Sequence, residues 1–165
     1  MRTTIALIAL ALIAPGAAGA AEGTANGTFT VKGKATKLTH AYAKAKQDPS
    51  SKGKEEIEVT LSDMPLDAKV LDDPTPFGLI DLSRADKLHG IRFFISPPSM
   101  VTGTMLFDYP AFKMGSVSAA GTDIKVDVKT LDKTTVSGRL YTAKPLDFND
   151  VPYEYSVTFS APLGR

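Results

Sequence analysis

The sequence predicts an all-β fold: an antiparallel β-sandwich, immunoglobulin-like or similar, with about eight strands and one short helix near residues 76–88. A closed β-barrel is the alternative, because both architectures give the same alternation. Three observations lead there. Apolar and polar residues alternate with period two along several stretches, as in strands with one face in water. Turn-forming residues separate these stretches at short intervals. Only one segment carries apolar residues at helical spacing. The composition suits a folded domain, with 43% hydrophobic and 22% charged residues in a chain of 165,.

The first twenty residues read as an address. Arg2 precedes the apolar run Ile5 to Ala14, Pro15 and Gly16 break it, and Ala18-Gly19-Ala20 forms a small-x-small cleavage site,. The run is too short for a bilayer, which takes about 20 apolar residues. A Sec-type signal peptide over 1–20, cleaved after Ala20, leaves 21–165 as one domain with no transmembrane segment. The expected location is secreted or periplasmic. The absence of cysteine suits a periplasmic chain whose core needs no covalent staple,.

The strands follow in order. Thr28 to Lys32 and Thr36 to Lys46 are the first pair, and Gln47 to Lys54 is a polar loop. Ile57, Val59 and Leu61 alternate with Glu56, Glu58 and Thr60. Pro74 and Pro76 stop any central strand, since neither has an N–H to give a ladder. Thr75 is placed to cap a helix with Pro76 in its first position, and Phe77, Ile80, Arg84 and Leu88 follow at helical spacing,. Gly90 to Ser96 and Val101 to Phe107 are the next strands. Ile124, Val126 and Val128 alternate with charged residues, Leu131-Asp132-Lys133 turns the chain, and Val136 to Tyr141 returns,. Tyr153, Tyr155, Val157 and Phe159 form the apolar face of the last strand.

Reactive residue types are scarce. There is no cysteine and no tryptophan, and the only histidines are His40 and His89. Thiol chemistry and thiolate metal sites are excluded. No phosphate-binding glycine loop, nucleophile elbow or EF-hand pattern occurs. No catalytic residue, metal site or cofactor is therefore assigned, and the chain reads as non-enzymatic.

One stretch is distinctive. On a strand, His40, Tyr42, Lys44 and Lys46 share one face, and Ala41, Ala43 and Ala45 share the other,. Alanines let a neighbouring layer approach closely. His40, Tyr42, Lys44 and Asp63 are the candidate binding residues. Seven lysines fall between Lys32 and Lys54, whereas 63–86 is rich in aspartate. Such lysines either meet a polyanion at the envelope or guard an exposed sheet edge. Only Tyr42 interleaves with them, so nucleic acid is not an expected partner. Removing Arg2 with the leader leaves basic and acidic residues equal in number, with no global field for a polyanion.

The segments Gly27-Thr-Phe-Thr-Val-Lys-Gly33-Lys34, Leu38-Thr-His-Ala-Tyr-Ala43 and Leu61-Ser-Asp-Met-Pro-Leu66 resemble a recurring pattern of uncharacterised exported bacterial all-β proteins. Val136 to Thr142 and Val157 to Leu163 are similar to their closing strands. The resemblance implies export and sheet structure, and carries over no functional residue.

The leading expectation is an exported, non-enzymatic protein that binds or scaffolds an unknown envelope component or protein. Two alternatives stand beside it. One is a small hydrolase or metal-dependent enzyme using His40 and Asp63, with His89 as a third member. The other is a carrier of a small apolar ligand, with Phe93, Phe107, Tyr155 and Phe159 lining its cavity.

Overall fold

The computed structural model describes residues 21–47 and 53–164. The expected signal peptide and most of the loop 47–54 lie outside them. Ten strands and two short helices follow one another: β1 (Gly23–Val31), β2 (Lys34–Gln47), β3 (Glu55–Ser62), α1 (Ala68–Leu71), α2 (Phe77–Arg84), β4 (Gly90–Ser96), β5 (Met100–Phe107), β6 (Ser116–Ala119), β7 (Ile124–Leu131), β8 (Thr135–Thr142), β9 (Leu146–Phe148) and β10 (Val151–Gly164).

The all-β expectation holds, and the strands belong to one sheet curled into a half-barrel; no sandwich is shown. Its order is β6-β5-β4-β3-β2-β1-β10-β8-β7, with β9 paired to β10. Neighbours are antiparallel except at one point, where Leu163 and Gly164 of β10 run parallel to Ala43 and Lys44 of β2. The long strands explain the single sheet. β2 faces β1 through Lys34–Ala41 and faces β3 through His40–Gln47. β10 faces β1, β8, β9 and finally β2. Each long strand bridges partners that a sandwich would divide between two layers. The curl brings the β5 and β7 edges near one another without a ladder between them.

The inner face is the core. Phe29, Leu38, Ala41, Ala43, Val59, Leu61, Ile91, Phe93, Leu140 and Val157 are buried there. Phe93 meets Phe159 edge to face, with ring centroids 5.4 Å apart, a favoured aromatic geometry. Lys32 and Gly33, both at positive φ, turn β1 into β2; Asn149 and Asp150 do the same between β9 and β10, the backbone that two-residue hairpins require.

A second cluster lies on the outer face. Tyr42 and Phe107 from the sheet are covered by Leu66, Leu71, Leu79 and Leu88 from the α1–α2 segment. The helix expected within 76–88 is α2, which begins at Phe77 with Pro76 in the N-cap position. Thr75 does not cap it. Its backbone N–H and its hydroxyl both donate to Asp73 Oδ1 instead, a local turn that competes with capping. Among the described residues no helix is long and apolar enough to cross a membrane.

Candidate functional site

The β2 alternation places the nominated side chains as expected, and other groups of the protein engage them. Ala41 and Ala43 point into the half-barrel and are fully buried. On the opposite face, Tyr42 lies under the helices and its hydroxyl accepts the Leu66 N–H at 2.9 Å. Burial raises its pKa. Lys44 donates to the Leu71 carbonyl at the end of α1. His40 Nδ1 lies 2.8 Å from Glu22 Oε1. Asp63 turns to His89: Oδ1 accepts the His89 N–H and Oδ2 meets Nδ1, each at 3.0 Å. The structure thus joins Asp63 with His89 and gives His40 a different partner.

His89 sits among three carboxylates carried by three connections. Beyond Asp63, its Nε2 faces Asp86 Oδ1 at 3.6 Å and Asp108 Oδ2 at 3.9 Å. These are too long for hydrogen bonds. Nε2 is buried without a partner among the described residues. Burial raises the Asp108 pKa, partly offset by His89 and Lys34. Among the described residues, no group of three or more His, Cys, Asp or Glu side chains is placed to hold a metal ion.

A buried ionic hub lies beside the α1 turn. The pairing of Lys44 with Glu58 and of Thr60 with Arg92 puts four polar side chains on adjacent strands. Glu58 Oε1 is 3.5 Å from Lys44 Nζ and 3.4 Å from Arg92 Nε, and Oε2 pairs with Lys46. Arg92 Nε donates to Thr60 Oγ1 at 3.2 Å. Arg92 and Glu58 are each only 2% exposed. Burial lowers the pKa of Arg92, with Glu58 and then Asp73 opposing that shift. It lowers that of Lys44 as well, and Glu58 again opposes. The sequence hinted at this hub through Arg92, a cation set between the apolar residues Ile91 and Phe93.

A groove opens on one side of the half-barrel. Its volume is about 550 Å³, and it runs between the segment 111–118, which leads into β6, and the β9–β10 hairpin. Phe112, Val117, Phe148 and Val151 supply its apolar surface, with Ala111 and Met114 at its side. Lys113, Ser116, Ser118 and Asn149 add polar groups. Phe112 stands edge-on to both Phe148 and Tyr153, and Tyr153 stacks on Tyr155, so an aromatic row leads from the groove into the core. The four aromatic residues expected around a carrier cavity lie elsewhere. Phe93, Tyr155 and Phe159 belong to the inner core, and Phe107 packs on the outer face beneath the helices. The groove is assembled from segments some thirty positions apart, which leaves no local signal in the sequence.

No family model, curated protein or solved structure matches the chain.

Proposed function

We propose that the chain is an exported, non-catalytic binding protein that seats an amphiphile in the groove between β6 and the β9–β10 hairpin. The N-terminal pattern of charge, apolar run and small-residue cleavage site supports export,. The observation that carries the binding reading is the groove itself. Its volume of about 550 Å³ and its apolar lining with a few polar groups are those of a small-molecule site,. Phe112 and Phe148 offer aromatic faces to an apolar body, and Lys113 offers a cation to an acidic end. The Asp63–His89 pair favours acid–base work less, because His89 Nε2 is buried away from any substrate,.

The chain has no native tryptophan, so one placed at the groove reports without background. Met114 lines the groove and is 71% exposed. Titration of Met114→Trp with dodecanoate is expected to give a saturable blue shift of its emission. Adding Ser116→Phe, which fills the groove from the β6 side, is expected to abolish that shift. A saturable response that survives Ser116→Phe, or no response to dodecanoate at all, refutes the assignment.

A further inference from the structure

β7 ends the sheet, and its outer edge has no strand paired to it. The Ala143 N–H donates to the Asp123 carbonyl, and bonded pairs alternate along an antiparallel ladder. Lys125 and Asp127 therefore turn their main-chain groups toward β8. Val126 turns its N–H and C=O outward, where they have no partner among the described residues. The space beside them is open. An opening of about 420 Å³ reaches from Met100 and Val101 of β5 to Ile124, Lys125, Val126 and Asp127. Residues from both faces of β7 border it, so it lies along the edge. Met100 is 62% exposed. An edge of this kind is a template for another strand.

Its side chains say which strand. Asp123, Lys125, Asp127 and Lys129 alternate in sign on the outer face, and Ile124, Val126 and Val128 form the inner row. Asp123 pairs with Lys144, while Lys125, Asp127 and Lys129 join no ion pair among the described residues. Asp127 lies opposite Arg139, yet Arg139 donates to Ser156 instead. We propose that β7 pairs antiparallel with β7 of a second copy of this chain, about a two-fold axis at Val126. In that register Lys125 faces the partner's Asp127, Asp123 faces the partner's Lys129, and Ile124 faces the partner's Val128. Every charge finds its opposite, and every apolar residue finds an apolar one. Moving the axis to Asp127 sets Asp127 on Asp127 and Lys125 on Lys129, like on like. The main chain agrees with the choice, since Val126 of each copy gives a hydrogen bond to the other and takes one. The bulge between Val128 and Thr130 ends the pairing,. The two half-barrels then share one continuous sheet. This edge is separate from the groove, and its test is independent of that reading.

The test is sedimentation equilibrium of the wild-type protein, which is expected to show a reversible dimer. Asp127→Lys sets cation against cation wherever the two strands cross Lys125, and is expected to raise the dimer dissociation constant by about tenfold or more. Lys125→Asp/Asp127→Lys restores the opposition of signs and is expected to restore the dimer. Both side chains are exposed on β7, so the fold tolerates these changes. The chain has no cysteine, so disulfide trapping reads the register. A mixture of Lys125→Cys and Asp127→Cys proteins is expected to form a mixed dimer on mild oxidation, which neither variant forms alone. A wild-type monomer at every concentration reached overturns the proposal and leaves the edge to a strand of another protein. A dimer indifferent to Asp127→Lys, or a mixture that cross-links no better than either variant alone, overturns it as well.

Discussion

Replacing Glu58 by glutamine changes one oxygen for nitrogen and leaves the packing of β3 unaltered. It removes the counter-charge of three cations at once. Lys46 is 32% exposed and can swing into solvent at little cost,. Lys44 is only 17% exposed and is tethered to α1, and Arg92 is sealed in. The penalty therefore falls on Arg92 and Lys44. Leaving a buried charge uncompensated costs about 3–5 kcal/mol. For a chain of this size, each kcal/mol corresponds to roughly 2–4 °C in Tm, so Glu58→Gln is expected to lower Tm by about 6–20 °C. Urea unfolding followed by far-ultraviolet circular dichroism measures the loss directly. The double variant Glu58→Leu/Arg92→Leu is expected to recover much of it, because a buried ion pair often exchanges for apolar residues at little net cost. A loss below about 1 kcal/mol for Glu58→Gln, with an unchanged slope in urea, refutes the claim that this carboxylate holds the cations in place.

Three further outcomes follow from the geometry. Gly27→Ala drives a Cβ to 2.1 Å from the Ser156 carbonyl oxygen and 2.6 Å from Val157 Cα, both backbone. A loss of about 2–3 kcal/mol is expected in chemical denaturation, against none for Gly121→Ala, where no atom lies within 4 Å. Phe93→Ala opens a cavity in the inner core against Phe159 and is expected to cost about 3–5 kcal/mol by the same measurement. Asp108 has a folded-state pKa raised by burial, so the folded form holds its proton at a pH where the unfolded chain has released it. Stability from this group is full below the ordinary aspartate value of about 4 and is lost as pH rises through the raised folded value. Asp108→Asn is expected to remove that decline and to exceed wild type in Tm near pH 7; a variant with the wild-type pH profile refutes the attribution.

Much of the sheet was legible because alternation and burial share one cause. Gly90 to Ser96 matches β4 at both ends, and the β2 reading put His40, Tyr42 and Lys44 on one face and the alanines on the other. What covers a face is not written in the strand that bears it. Tyr42 and Lys44 are engaged by Leu66 and Leu71, more than twenty residues away. The single sheet was hidden because its evidence is the handover of β10 from β1 to β2, a pairing between residues over a hundred positions apart. The clear alternation of β10 runs from Tyr153 to Ser160, whereas the strand spans Val151–Gly164 and includes Pro152 and Pro162. Pro162 lies where its partner strand ends, opposite Thr135, the first residue of β8, and Pro152 lies opposite Asp147 in the three-residue strand β9. β6, β9 and α1 have only three or four residues each, too few to show a period.

The position of β1 between β2 and β10 bears on when this protein can fold. Thr24 lies opposite Ser160 and Val31 opposite Tyr153. A chain that emerges N-terminus first can form the β1–β2 hairpin early, but the other edge of β1 stays open until almost all the polypeptide is free. Pairings this distant close slowly. For a chain that crosses a membrane before folding, as proposed above, late closure keeps the thread pullable through a translocation channel. It also leaves an unsatisfied strand exposed to stray pairing during the wait.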